Sequence, residues 1–246
     1  MSSPGDAAPE IALPAPEEWM SWTESEKAWM SIRDADLLEV LFLAQARRVG
    51  RAINVLEWGG GRSTLWYSAL LQKRGLLGSW LTIEHNREFF MEKLAPEFDR
   101  HPERRYRLVD APLEPPLRQL EREAGSLLAA AVFDAGDLRP IEPDRLADRA
   151  ADLDDYVRLP SLLGRRFDLV IVDGRKRRRC LLEAAEMLSE QGMTVLHDAW
   201  RSHYECALPA YASGTHIGDE LWVGTQHPME LREMLPAHAF EEDEDE

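Results

Sequence analysis

Short apolar, β-branched runs alternate along this chain with longer stretches whose apolar positions recur every three or four residues. The runs at 53–56, 79–84, 106–109, 167–172 and 193–196 predict strands. The stretches at 63–74, 87–98 and 179–191 predict helices, with Gly192 ending the last of them. Upstream, Thr23 with Glu26 fits a capping box. Behind it Trp29, Ile32, Leu37, Leu38, Leu41 and Phe42 recur at roughly helical spacing, as one helix or two. Apolar strands alternating with helices call for a parallel sheet covered on both faces. Residues 216–223 read as two short strands around a Gly218-Asp219 turn, an antiparallel hairpin on the sheet edge. The expected fold class is therefore α/β: a doubly wound, mostly parallel sheet with a C-terminal antiparallel hairpin.

The same pattern sets the domain plan. A single domain is expected over 19–240, with a helical cap at 19–50 and an insert at 112–166. The insert is too long for a plain loop, so helices are expected at 113–128 and 143–152, covering or lining the crevice. Residues 1–18, rich in Pro and Ala, read as a disordered leader, and 241–246 as a solvated acidic tail. Trp19, Trp22 and Trp29 stand just ahead of the core, either packing the first helix on the sheet or forming a lid over a substrate pocket.

Charge and cysteine content narrow the partners. The net charge is -16, and the six acidic residues of the tail leave -10 on the rest. A body this acidic repels nucleic acid, so a small-molecule or glycan acceptor is the expectation. No apolar run reaches membrane-span length, and the N-terminus lacks the basic start and apolar core of a signal peptide. Cys180 and Cys206 give no disulfide framework and read as packed thiols in a reducing cytoplasm. A homo-oligomer is compatible with the sequence.

The most telling segment is Glu57-Trp58-Gly59-Gly60-Gly61-Arg62-Ser63-Thr64, where a strand runs through glycines into a helix. Glycine lets backbone approach a ligand, and the following helix points its N-terminus at the same crevice. A carboxylate at the strand end, Glu57, suits a ligand bearing an amine or hydroxyls and repels a pyrophosphate. The turn thus favours S-adenosylmethionine over a dinucleotide. Glu84 closes the second strand, where a carboxylate can accept from both ribose hydroxyls, and Asp110 closes the third, near where an adenine should lie. A nicotinamide-cofactor turn is the competing reading, although Thr64 fills a position where glycine or alanine is usual.

These segments, with Thr82-Ile83-Glu84-His85-Asn86, Phe167-Asp168-Leu169-Val170-Ile171-Val172-Asp173-Gly174 and Gly192-Met193-Thr194-Val195-Leu196-His197-Asp198, resemble the Rossmann-like S-adenosylmethionine-dependent methyltransferases. Small-molecule O-methyltransferases are the nearest in pattern. The resemblance runs from about Val55 to Val223 with the insert outside it, and it implies the terminal hairpin. It also implies that Glu57, Gly59, Gly61, Ser63 and Thr64 surround the methionine part of the cofactor. Glu84 and His85 would lie at the ribose, and Asp110 and Ala111 at the adenine. Trp58, bulky inside the glycine turn, departs from the pattern.

Asp173, His197 and Asp198 follow two strands that should be neighbours. They are the candidate catalytic residues. By similarity to the metal-dependent O-methyltransferases they are also candidate ligands for Mg²⁺, Mn²⁺ or another divalent ion that would lower the acceptor hydroxyl's pKa. His197 departs from the all-acid or amide form of that site. Without a metal, His197 or Asp198 would be the general base. The run Arg175 to Arg179 begins on the rim of the crevice, where cations misfit a helix N-terminus. Arg175 and Arg179 are therefore candidates to hold a carboxylated or phosphorylated acceptor, with Arg201 and Tyr204 facing it from downstream. Three functions are compatible with this pattern. They are methyl transfer to a small-molecule or sugar hydroxyl, NAD(P)-dependent oxidoreduction on the same turn, and a non-catalytic partner subunit that keeps the cofactor.

Overall fold

The computed structural model describes residues 26–110, 127–136, 138, 151–229 and 231–240. The first helix, α1 (Ile32–Val49), starts where Ser31 Oγ accepts from the Asp34 amide. It stops at Gly50, which takes a left-handed φ of 69° and returns its N–H to Ala46 O at 3.0 Å. One continuous helix holds Ile32 to Phe42, and the expected start near Thr23 is corrected, because residues 26–30 are bends and Ser31 caps the helix. Thr23, Trp19 and Trp22 lie outside the described residues.

Strand β1 (Ile53–Trp58), helix α2 (Arg62–Lys73) and strand β2 (Leu77–Glu84) follow as the alternating pattern predicts. Helix α3 is interrupted: Arg87–Phe89 and Ala95–Asp99 are α-helical, with a π-helical turn, Phe90–Leu94, between them. Pro96 opens the second part, where its missing N–H is tolerated. Next come β3 (Arg104–Leu108), β4 (Leu128–Val132), α4 (Asp154–Leu162), β5 (Phe167–Val172), α5 (Arg177–Met187) and β6 (Leu188–Leu196). A 3₁₀ segment, Ser202–Ala210, leads to the hairpin β7 (Ser213–Ile217) and β8 (Leu221–Thr225), and α6 (Leu231–Met234) follows.

The strands form one sheet in the order β3-β4-β2-β1-β5-β6-β8-β7, parallel from β3 to β6 and antiparallel through β8 and β7. With β4 set aside, the parallel part has the doubly wound order, and a hairpin stands where a sixth parallel strand would lie. The reversal of strand order falls between β1 and β5.

Strand β4 corrects the expected helix at 113–128, of which Leu128 is a strand residue and 113–126 lie outside the described residues. Leu-Ala-Ala-Ala-Val reads as helix by propensity. Here it is pinned between β2 and β3, and small side chains suit a strand buried on both faces. Of the helix expected at 143–152, only Ala151 and Asp152 are described, and neither is helical. Gly192 does not end α5, which stops at Met187; it sits inside β6, where a Cβ would lie 2.8 Å from Phe167 O.

Both faces of the sheet are covered. On one, α1, α2 and α3 bury Leu38, Phe42, Trp80 and Phe90; on the other, α4 and α5 bury Trp58, Tyr156 and Leu181. Trp58 therefore turns away from the glycine turn and donates its Nε1–H to Tyr156 O at 3.1 Å. Buried Asp34 of α1 accepts from the amides of Asp219 and Glu220 at 2.8 and 3.0 Å, tying the first helix to the hairpin turn. Among the described residues, no helix is long and apolar enough to cross a membrane.

Candidate active site

A cavity of about 720 Å³ opens at the carboxyl ends of β1, β2, β5 and β6, where open α/β sheets bind ligands. Gly59, Gly60, Gly61 and Ser63 line one side, Glu84 and His85 another, and Asp173, Arg175, Arg177, His197, Asp198 and Arg201 the third. Half-exposed Leu65 and Trp29 complete the mouth, with the Arg62 guanidinium 5.9 Å from the centre of the Trp29 indole. Trp29 is 73% exposed, so it belongs to the rim and does not pack α1 on the sheet.

At the switch between β1 and β5 the backbones of two turns touch. Gly59 has φ +97°, and a Cβ there would lie 2.7 Å from Gly174 N. A Cβ on Gly174 would in turn meet the Tyr156 hydroxyl at 2.1 Å. The cavity floor thus requires glycine on both sides. At Gly61 the reason is different: only Ser63 Oγ, at 4.0 Å, comes near a Cβ, so the space belongs to whatever enters the cavity.

The amides of this turn are already engaged. Gly59 N–H goes to Ile83 O (2.9 Å), Gly60 N–H to Glu84 Oε2 (2.8 Å) and Gly61 N–H to Thr64 Oγ1 (3.0 Å). A ligand therefore meets the Cα faces of the glycines and not a ring of free donors, which corrects the expectation of amides held open for it. Glu84 accepts further from the amides of His85 and Asn86 at 2.8 and 2.7 Å. An ionised carboxylate has about four acceptor positions. Oε2 accepts only from Gly60 among the described bonds, which leaves it capacity for a hydroxyl in the cavity.

Glu57 does not reach the cavity. It is fully buried, accepting from Ser63 Oγ and Thr64 Oγ1 at 2.6 Å each and from Trp80 Nε1 at 3.1 Å. Burial pushes its carboxyl up to about 7, offset by those donors. Its role is to lock the start of α2 onto β1 and β2, and the expected contact with a cofactor amine is corrected accordingly. Thr64, also fully buried, serves the same lock, while Ser63 touches both the lock and the cavity.

Asp110 is displaced because β4 enters between β2 and β3. It lines a second hollow of about 540 Å³ with Asp134 and Tyr156, which shares no lining residue with the first. Arg87 bridges Asp110 and Asp134, and the latter, two residues past β4, takes the place beside β2 that the sequence assigned to Asp110. Ala111 lies outside the described residues.

Asp173, His197 and Asp198 do converge, their ligand atoms lying within 4.8 Å of one another. His197 Nδ1 is 2.9 Å from Asp173 Oδ1, and its Nε2 is 3.4 Å from Glu220 Oε2, an ion-pair distance too long for a good hydrogen bond. Burial lowers the imidazole pKa, but the Asp173 and Glu220 carboxylates outweigh it and raise it to about 10. His197 is therefore an imidazolium at neutral pH, which corrects its expected role as general base. Burial alone would raise Asp173; His197 and Arg177 override it and hold the carboxyl below its usual range. Among the described residues Asp198 (φ 57°) and Lys176, which starts α5, are the two non-glycine residues with a left-handed φ.

Arg177 is the functional residue that sequence reasoning missed. Its guanidinium lies between the carboxylates of Asp173 (2.9 Å) and Asp198 (2.7 Å). The Asp173–Arg177 spacing of four residues, straddling a strand end and a helix start, was the available signal. A divalent ion at this position would stand against a guanidinium and an imidazolium, so the residues present do not fit one. Of the residues expected at the acceptor, Arg175 and Arg201 line the cavity. Arg179 pairs with Asp154 on the surface, and buried Tyr204 lies under Arg177 at 5.9 Å; neither lines the cavity. Burial pushes the Cys180 thiol up, in keeping with a packed group, whereas Cys206 is exposed.

These features define an α/β Rossmann-like fold with a terminal hairpin and a cavity at its switch point. Compared by sequence, the chain matches no family model and no curated protein. Solved structures of similar chain path include a methyltransferase-like protein from Silicibacter pomeroyi, 15% identical over 82% of this chain and 95% of that one, with a TM-score of 0.45. The O-methyltransferase TomG of Streptomyces achromogenes, in complex with SAM, is 17% identical over 76% of this chain and 79% of its own, with a TM-score of 0.40. Cofactor-bound Rv0187 from MTB is 16% identical over 78% and 80%, with a TM-score of 0.42.

Proposed function

We propose that this protein is an S-adenosylmethionine-dependent methyltransferase acting on a hydroxyl of a small molecule or sugar in the cytoplasm. The observation that carries the reading is one shared cavity. The Gly59–Gly61 turn and Glu84 line one part of it, and the charged loops after β5 and β6 line the rest. Its volume, about 720 Å³, has room for a nucleoside-sized ligand and an acceptor together. Glu84 has acceptor capacity for ribose hydroxyls, and the open space at Gly61 admits close approach of a ligand. The cofactor would supply a methyl group on a sulfonium, and alignment of the acceptor with that methyl accounts for much of the acceleration. Asp173 and Asp198, both lining the cavity, are the groups that would assist loss of the acceptor's proton.

An anionic group on the acceptor is supported by Arg175. It lines the cavity, and its guanidinium has no hydrogen bond or ion pair among the described residues. Calorimetry with S-adenosylhomocysteine tests the assignment. Wild-type protein is expected to bind it, and Glu84→Ala to weaken binding at least tenfold. No binding by wild type, or binding of NAD instead, would overturn the reading.

A further inference from the structure

The loops after β5 and β6 carry two carboxylates, Asp173 and Asp198, at chelating separation, and what sits between them is a side chain of the protein itself. A guanidinium offers five N–H donors. In Arg177 four hydrogen bonds and two ion pairs hold the group. Nε donates to Gly174 O (3.0 Å), Nη1 to His197 O (2.6 Å) and Asp198 Oδ2 (2.7 Å), and Nη2 to Asp173 O (2.9 Å), while Asp173 Oδ1 makes an ion pair with Nη2 at 2.9 Å. The side chain is 11% exposed and lies over Tyr204, so the guanidinium faces the protein's own loops. Arg177 and Arg201 both stand against Asp198, and Arg177 and the His197 ring against Asp173, while Asp34 is held by backbone amides.

We propose that Arg177 is the resident cation of this site, occupying the position between Asp173 and Asp198 that a divalent metal would otherwise take. It is a positioning residue. Two of its bonds go to the carbonyls that follow β5 and one to the carbonyl that follows β6, so a single planar group fixes both loops around the cavity. A hydrated divalent ion would need those carboxylate oxygens for itself, and it would add two charges beside a guanidinium already in place. Removing the guanidinium takes away the one group paired with both carboxylates and leaves a gap between them, which is what a hard cation binds. The proposal does not rest on the cofactor assignment, since its readout is ion binding.

The test is titration of the full-length chain with Mn²⁺, followed by electron paramagnetic resonance of the free ion. Wild type is expected to show no site in the micromolar range that Asp173→Asn abolishes; any Mn²⁺ held by the acidic tail is insensitive to that change. Arg177→Met, which keeps the aliphatic stem, is expected to gain a site at least tenfold tighter than any in wild type and to lose it with Asp173→Asn added. Arg177→Lys, retaining a charge, should continue to exclude the ion. A wild-type site removed by Asp173→Asn overturns the proposal whether or not the variants fold. So does a folded Arg177→Met, checked by circular dichroism, that binds Mn²⁺ no better than wild type.

Discussion

Gly59→Ala tests whether the cavity floor is set by two backbones in contact. At Gly59 the chain has φ +97°, and the methyl would lie 2.7 Å from Gly174 N, 2.8 Å from Asp173 C and 2.8 Å from Gly174 Cα. All three obstacles are backbone, so no side chain can swing aside. Holding an L-residue at left-handed φ costs about 1–2 kcal/mol. Forcing a methyl into a packed contact adds about 1–3 kcal/mol, for a total of about 2–5 kcal/mol. Gly75→Ala separates the two contributions, because Gly75 also has a left-handed φ, +68°, with nothing within 4 Å of its Cβ position. Only the backbone cost, about 1–2 kcal/mol, applies there. The excess at Gly59 is thus about 1–3 kcal/mol. With an m-value of about 3 kcal/mol per M, urea midpoints should differ by roughly 0.3–1 M between the two variants. Gly59→Ala should also weaken S-adenosylhomocysteine binding, whereas Gly75→Ala should not. Equal midpoints for the two variants would refute the claim that the β1 and β5 turns are in contact at the switch point.

His197 makes stability depend on pH in the alkaline direction. Its folded pKa is about 10 against an ordinary 6.5, so its contribution is complete below about 6.5 and is lost as pH rises through about 10. Urea midpoints of wild type should fall between pH 7 and pH 10 more steeply than those of His197→Asn, and parallel slopes would count against the clamped imidazolium. At the rim, Arg175→Ala should raise the KM of an anionic acceptor tenfold or more without altering S-adenosylhomocysteine affinity, while Arg179→Ala should change neither. Equal effects of the two substitutions on KM would remove the assignment of Arg175 to the acceptor. Asp168, 1% exposed, accepts from both Nη atoms of Arg51, from Asn54 N and from Ser189 Oγ. Asp168→Ala should therefore destabilise by about 3 kcal/mol in urea unfolding, and a loss under 1 kcal/mol would show that solvent at half-exposed Arg51 already screens the pair.

Periodicity alone determined the alternation of β1, α2, β2 and β5, the closing hairpin, and the placing of Gly59, Glu84, Asp173 and His197 at strand ends. These follow from local rules: apolar runs make buried strands, glycine permits turns, and polar residues gather where strands leave the sheet. The sequence also brought Asp173, His197 and Asp198 to one place, because neighbouring parallel strands end at one edge. What each group does there was a tertiary decision. Glu57 stands at a strand end like Glu84, yet three donors enclose it, and no one-dimensional pattern shows that Ser63, Thr64 and Trp80 all turn toward it. Strand β4 pairs with β2 on one side and β3 on the other, against the helical preference of its alanines, and Asp110 lies outside the cavity. Arg177, one cation in a run of five, was singled out only by depth. It reaches back under the loops, where low dielectric and four fixed acceptors decide which charge the site keeps.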